Sequence, residues 1–466
     1  MTCAGHSMNI LFLAHRMPYP PDKGDKLRSF HELQRLAERH AVYLACFVDD
    51  PEDFRHADVT ARLCVQQALI PWDRRVAAIR GLFGMLTGGT LTEGAFSSRR
   101  MSDQLRRWQS TVDFDAVVAF SSCMAPYASS VRASRRILDM CDLDSRKWTA
   151  YATQSWNPRH WLYRMEGKRL ARRELDWVRS FDATLLISDH EAADLPQPER
   201  ARVTIVGNGV AIPPRASAHE SERPVSPGMT KARPAVGFVG MMNYRPNIDA
   251  VTWFVREVWP AVHARRPDAE FRIIGRHPST EVERLAGVPG VSVVGGVDLI
   301  EPELAGLTCS VAPLRIARGV QNKVLEAMAH AIPVVATPQA AQGIRAKPGR
   351  HLLLSAGADG FARAVIDLLN NEAKRHEIGT AGRDHVASAF RWDSVLERFE
   401  RVVCGLPVNA FPASQHRDES VTGNRNDWEP YAARHEFSLS ERSDQGFSAT
   451  ASSLAGVAGD PADGST

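Results

Sequence analysis

The sequence predicts an α/β protein of two doubly wound parallel-sheet domains facing each other across a cleft. Three observations carry this expectation. Short, nearly unbroken Val/Ile/Leu runs alternate with amphipathic stretches over residues 9–208. A segment rich in Pro and Ser then interrupts the pattern at 212–234. After it the same alternation begins again and continues to residue 404. A strand covered by helices on both faces reads as a continuous apolar run, whereas a half-solvated strand alternates apolar with polar.

In chain order, the first half offers the strands "NILFLAH" (9–15), "VYLACFV" (42–48), "AVVAFSS" (116–122), "RILDMC" (136–141), "ATLLIS" (183–188) and "RVTIVGN" (202–208). Helical patterns lie between them, as in "GDKLRSFHELQRLAERH" (24–40) and the long charged stretch 144–180. The segment 212–234 has no apolar period and reads as a linker. The second half offers "AVGFVG" (235–240), "EFRIIG" (270–275), "VSVVGG" (291–296), "LTCSVAPL" (307–314), "IPVVAT" (332–337) and "HLLLS" (351–355), with a helix over 247–266. "RWDSVLERFERVV" (391–403) is a last amphipathic helix. The expected domains are thus 1–211 and 235–404. The tail, 405–466, is too polar and too rich in small residues to build a core and is expected to be disordered.

The chain of 466 residues is long enough for two cores. Its net charge of +3 gives no general attraction to nucleic acid, which is not expected as a partner. The 7 cysteines are scattered, without a CxxC pair, which argues against structural zinc or a disulfide framework and fits a reducing cytoplasm. The N-terminal segment lacks a basic leader, and "ILFLA" is short for a signal core, so it reads as a first buried strand. No apolar run approaches the length of a membrane span. The expected location is the cytoplasm, or at most a peripheral position on the inner face of the cell membrane.

Chemistry gathers in "PLRIARGVQNKVLEAMAHAIPVVAT" (313–337), where a strand passes through a loop into a helix. Ligands of doubly wound sheets sit beyond the carboxyl ends of the strands. A helix start presents open N–H groups that suit phosphate, and a glycine such as Gly319 lets a ligand approach the backbone. Arg315, Arg318 and Lys323 add positive charge, and Lys323 and Glu326 share a helix face. Such a pair would meet a diphosphate with its cation and ribose hydroxyls with its carboxylate. An ordinary surface salt bridge explains the same spacing, and both readings stand at this point. No G-x-G-x-x-G or Walker pattern accompanies it. In the first half, "HRMPYPPDKGDKLRS" (15–29) joins the first strand to the first helix. Gly24 is the candidate there for close backbone approach, with Lys23, Asp25 and Arg28 as further cleft residues; a plain Pro-rich connector is the alternative.

"NKVLEAMAHAIPVVAT" closely resembles the donor-site signature of family 4 glycosyltransferases, which have two Rossmann-like domains in the GT-B fold. "VGNGV" (206–210) and "LISDHEAADL" (186–195) resemble segments of the same family at the end of its first domain. The resemblance implies that Glu326 binds the nucleotide ribose and that Lys323, with Arg315 and Arg318, neutralises the diphosphate in catalysis. Gly319, Asn322 and Gly240 join Glu326 as donor-binding residues. "HRMPYPPDKGDKLRSFHEL", "FSSCMAPYA", "LDMCDLDSRKW", "GMMNYRPNIDAVTWF" and "APLRIARGVQNKVLEAMA" together resemble sugar transferases of bacterial exopolysaccharide and exosortase (PEP-CTERM) systems. Two departures stand out. Arg318 occupies the position where many members carry a glutamate that contacts the donor sugar. The loop "GMMNYRPN" (240–247) lacks the usual Gly-Arg…Lys, and its Arg245 is out of register.

Asp142 and Asp144 form a D-x-D, a metal-holding device in another glycosyltransferase fold but not in this one. Helix capping is the expected role of Asp144, and Asp142 is a candidate to face the cleft. His15 lies just past the first strand, where a loop histidine is usually incidental. The basic, aromatic stretch 156–180 suits an anionic membrane surface, or else a solvated helix whose tryptophans pack inward. The expected function is transfer of a sugar, with retention, from a nucleotide-diphosphate sugar to a glycan or lipid-linked acceptor. No metal or organic cofactor is implied. A nucleotide-sugar-binding scaffold protein and a sugar-nucleotide epimerase are the alternatives.

Overall fold

The computed structural model describes residues 7–21, 23–154, 160–214, 233–297, 299–317 and 319–408. Most of the expected linker and the tail beyond 408 lie outside the described residues, as does Arg318.

The first sheet contains β1 (Asn9–Ala14), β2 (Ala41–Val48), β3 (Gln66–Pro71), β4 (Phe114–Phe120), β5 (Ala133–Cys141), β6 (Ala183–Leu186) and β7 (Val203–Ile205). They are all parallel, in the order β3-β2-β1-β4-β5-β6-β7. The second sheet contains β8 (Ala235–Val239), β9 (Glu270–Ile274), β10 (Val291–Gly295), β11 (Cys309–Ala312), β12 (Val334–Ala336) and β13 (Leu353–Leu354). It is parallel too, in the order β10-β9-β8-β11-β12-β13. Two doubly wound Rossmann-like sheets are therefore present, as the apolar runs predict. β3 was not expected; its "QQALIP" is half exposed at the sheet edge and carries too few apolar residues to stand out.

Alternation explains how each strand serves two cores. Leu11 and Leu13 of β1 point into one layer, and Ile10, Phe12 and Ala14 into the other. All five are fully buried. Each large apolar side chain so buried stabilises the fold by about 1.5–3 kcal/mol.

The helices that matter to the cleft are α1 (Gly24–Ala37), α2 (Arg74–Leu86), α3 (Leu91–Ala95), α4 (Asp144–Gln154), α5 (His160–Ser180), α6 (Arg245–Trp253), α7 (Asn322–Ala329) and α8 (Trp392–Val403). The long charged stretch 144–180, expected to be helical, is described as α4 and α5. The final helix corrects the expected boundary at 404. Val395, Phe399, Val402 and Val403 of α8 pack among Ile10, Leu33 and Val118, in the first domain. Glu400 of α8 accepts hydrogen bonds from Arg35 Nε at 2.8 Å and Arg39 Nη1 at 3.1 Å. The chain crosses back where Val210 N donates to Phe390 O at 2.7 Å. An amphipathic period shows that one face is covered, but not which domain covers it.

In each sheet the strand order reverses at one point, between β1 and β4 and between β8 and β11. Ligands of doubly wound sheets bind beyond the strand ends at such a switch point. The loops starting at His15, Ser121, Gly240 and Pro313 all leave those strands.

Candidate active site

On the second domain's side, the site is built around Lys323, in the first turn of α7. Its Nζ donates to Asn247 Oδ1 at 2.5 Å and stands 4.5 Å from the centre of the Phe238 ring. Asn247 is itself buried and fixed, because its Nδ2 donates to Met241 O at 2.9 Å. Gly240 closes this cluster. A Cβ on it would lie 2.7 Å from Asn247 Nδ2 and 3.1 Å from Lys323 Nζ, so no side chain fits there without moving the lysine. Burial pushes the Lys323 ammonium down to about 7, with Glu326 opposing the shift. Burial likewise pushes the Glu326 carboxyl up to about 7, opposed by Lys323 and assisted by Glu301. Both groups are thus poised between charge states and respond strongly to a new charge beside them. Among the described residues, none donates a hydrogen bond to the Glu326 carboxylate.

The first domain meets α7 directly. Asn208 Nδ2 donates to Asn322 Oδ1 at 3.1 Å, and a Cβ on Gly24 would sit 3.5 Å from Asn322 Nδ2. The N-termini of α1 and α7 therefore converge. Neither helix has a side-chain cap, from Lys23 or from Gln321. Helix N-termini carry partial positive charge and open N–H groups, so their convergence favours an anion. Gly319 has φ 64, in the left-handed region, and it packs against the other domain. A Cβ there would fall 2.8 Å from Ile187 Cδ1 and 3.1 Å from Asp142 Oδ1.

Arg315 is exposed and its guanidinium grips Asp249, with Nε at 3.0 Å from Oδ2 and Nη2 on Oδ1. Lys23 is the residue before α1. Asp25 takes His15 Nε2 at 3.2 Å and Arg16 Nη1 at 3.0 Å. Burial alone would raise its pKa, but the His15 hydrogen bond and the Arg16 charge hold it well below the usual carboxylate range. His15 also stacks on Phe120 at 5.9 Å. Arg28 is fully engaged. It donates to Asp139 at 2.7 and 3.0 Å, to the carbonyls of Val206 and Gly207 at 2.9 and 2.8 Å, and to Asn208 Oδ1 at 3.2 Å. Arg245 pairs with Glu281 at 3.3 Å.

Asp144 does not cap a helix. It is the first residue of α4, and it accepts from Ser122 Oγ at 2.5 Å and Lys147 Nζ at 3.2 Å. Lys147 also reaches Asp142 at 3.2 Å, so one ammonium serves both carboxylates of the D-x-D. Asp142 Oδ1 is buried without a hydrogen-bond partner, facing Gly319 across the cleft. Over 160–180, Trp177 packs inward and Trp161 is exposed; residues 156–159 lie outside the described residues.

Sequence reasoning passed over Asn247, Phe238, Asn208 and Ile187. Asn247 left a faint signal, as a polar residue in the first turn of a helix that faces a glycine strand end. Phe238 is recognisable once Lys323 is set against the sheet of its own domain, and Asn208 and Ile187 once the two domains are set together.

Two parallel-sheet Rossmann-like domains of this kind are the architecture of the GT-B fold. Residues 233–371 match the family model described as "Glycosyl transferases group 1". A mannosyltransferase of Corynebacterium glutamicum, described as GDP-mannose-dependent and acting on a monoacylated phosphatidylinositol monomannoside, is 27% identical over 194 residues. That match covers 39% of this chain and 49% of the relative, so it spans about half of the relative's length. Among solved structures, Anabaena Alr3699/HepE in complex with UDP and glucose superposes with a TM-score of 0.57 at 14% identity, over 86% of this chain and 100% of that one. Sucrose-phosphate synthase of Thermosynechococcus elongatus gives 0.61 at 15% identity, over 85% and 98%. At these identities the structural likeness speaks for the fold.

Proposed function

We infer that the protein is a glycosyltransferase that takes a sugar from a nucleoside-diphosphate donor and passes it to a hydroxyl of a glycan or lipid-linked acceptor. One observation carries the reading. Lys323 and Glu326 stand half-buried and near neutrality at the uncapped start of α7, where α1 points a second helix N-terminus at the same crevice. A diphosphate placed there would restore the ammonium of Lys323 and accept the open N–H groups of both helices. Glu326 would accept from the ribose hydroxyls, and Gly240, Gly319 and Gly24 keep the walls thin. Asn322 holds the two domains together at the same point.

In the reaction, the bond between the sugar's anomeric carbon and the diphosphate oxygen breaks. The acceptor oxygen takes its place, and the acceptor proton leaves with the nucleoside diphosphate. Lys323 and the helix N-termini stabilise the charge that gathers on the departing diphosphate, which preorganised donors do most effectively in a partly dry site. Asp142 Oδ1, buried against Gly319 and without a partner of its own, would receive a sugar hydroxyl once the Gly319 loop gives way. Arg315 reaches the donor only by releasing Asp249. Retention at the anomeric carbon, a role in exopolysaccharide assembly with an exosortase (PEP-CTERM) system, and action at the cytoplasmic face of the membrane complete the proposal. They rest on the motif resemblance described above. The named relatives support a nucleotide-linked donor, since one is described as GDP-mannose-dependent and another was crystallised with UDP.

The test is a thermal-shift screen against nucleoside diphosphates and their sugars, followed by nucleotide release with glycan acceptors. A ligand that binds only the folded state raises the midpoint. A shift with one base, lost in Glu326→Ala, is expected. Donor consumed without an acceptor to give an isomer would instead identify an epimerase. Binding without any turnover would leave a scaffold, and an unchanged Glu326→Ala response would overturn the site assignment.

A further inference from the structure

Helix α2 is inverted for a surface helix. Its covered row is small or narrow, with Ala77, Gly81 and Met85 buried. Its large apolar residues point outward: Ile79 is 72% exposed, Phe83 67% and Leu86 78%, with Val76 and Leu82 beside them. Glycine contacts explain the inversion. A Cβ on Gly81 would lie 2.9 Å from Leu91 O, and one on Gly94 would lie 2.5 Å from Arg80 O. The backbones of α2 and α3 touch, which leaves no inner space for Ile or Phe. Ile79, Phe83 and Leu86 follow three- and four-residue spacing and so form one continuous outward stripe.

Basic residues outnumber acids around this stripe. Arg74 and Arg75 are exposed in the first turn of α2. The acids of the hairpin are already engaged. Asp73 caps α2 through Val76 N at 2.9 Å, and Glu93 pairs with Arg173 at 3.2 Å. Glu166 is buried on the backbone N–H groups of Leu91 and Thr92 at 2.6 and 2.9 Å. Helix α5 supports the hairpin, with Arg169 Nη1 donating to Met85 O at 2.6 Å and to Gly89 O at 2.8 Å. That same helix carries a row of exposed cations, Arg164, Lys168 and Arg172, one turn apart.

We propose that the outward face of α2, together with the arginines of its own helix and the exposed cations of the neighbouring α5, docks the protein onto a bilayer with anionic headgroups. The apolar stripe enters the boundary of the acyl chains and the guanidinium groups stay at the level of the phosphates, as in interfacial helices. A second copy of the chain is a poorer occupant. One convex helix offers far less than the roughly 800 Å² per partner of a stable interface, and a two-fold contact would set arginine against arginine. The apolar anchor thus lies in 76–86, while 160–180 contributes charge. The proposal is independent of the donor site.

The experiment is co-sedimentation of the full chain with phosphatidylcholine vesicles, with and without phosphatidylglycerol. Binding to the anionic vesicles alone, weakening as salt rises, is expected. Phe83→Ser with Leu86→Ser should abolish it, and Arg75→Ser should weaken it about fivefold. The substituted side chains are exposed, so the thermal midpoint and its shift by nucleotide should persist in all variants, which separates this result from any failure of the donor site. Ile79→Ser provides a second apolar variant should the double one not fold. No binding to anionic vesicles, or binding indifferent to these substitutions, overturns the proposal. So does a concentration-dependent dimer that Phe83→Ser dissolves.

Discussion

The two sides of the cleft each present a helix that starts at a strand end and carries a partly or wholly buried cation, yet they use that cation differently. On α1, Arg28 is surrounded by Asp139, Glu32 and three acceptors of the connector 206–208. Burial by itself would lower its pKa, but Asp139 and Glu32 hold it above its ordinary value. On α7, Lys323 has one hydrogen bond among the described residues, to Asn247, and an aromatic face below. Burial dominates there and drives the ammonium toward neutrality. A buried cation with every donor filled acts as scaffold; Arg28 holds Asn208 where it reaches Asn322. A buried cation with donors in reserve is strained until a ligand arrives.

The contrast breaks first if the stability ranking fails. Arg28→Met leaves Asp139 buried without its partner and should cost about 3–5 kcal/mol in denaturant unfolding, because removing one member of a buried pair strands the other. Lys323→Met should leave stability unchanged or raise it, since it removes a desolvated charge. Its turnover should fall about 10²–10³-fold, the usual loss when one preorganised donor to developing charge is deleted. Normal turnover in Lys323→Met would place the diphosphate elsewhere.

A smaller effect is expected for Glu326→Gln, a roughly tenfold to hundredfold loss of donor affinity in calorimetry, the range of hydrogen bonds to a charged group. Asp142→Ala should lower turnover without lowering nucleotide affinity, which a split between kcat and Kd would show.

The pH dependence sharpens the same point. Lys323, lowered from 10.5 to about 7, binds fewer protons folded than unfolded in that interval, so its contribution to stability rises with pH there. Glu326, raised from 4.5 to about 7, binds more protons folded than unfolded in its interval, so its contribution falls with rising pH. The two together place a shallow stability minimum near neutrality, which the double variant Lys323→Met, Glu326→Gln should flatten in thermal melts. Donor binding should take up a proton at about pH 8, because the diphosphate raises the Lys323 pKa again. Calorimetry in buffers of different ionisation enthalpy measures that uptake. Least of all, Arg315→Ala should change stability by under about 1 kcal/mol, as exposed ion pairs do.

The sequence by itself determined most of the strands, because a parallel sheet covered on both faces needs continuous apolar runs, and these are local. It also placed Gly319, Lys323 and Glu326 between a strand end and a helix, at spacings that any reader of helices can place. The tertiary structure decided the rest. Lys323 finds its partner 76 residues away in Asn247. Asp142 faces Gly319, and α8 leaves its own half of the chain to cover the other. The outward stripe of α2 is likewise invisible in sequence, where its apolar spacing is that of a buried helix; only the glycine contacts with α3 turn it toward solvent. Periodicity records that one face of an element differs from the other. What meets that face depends on contacts between distant segments, and those exist only in the folded molecule.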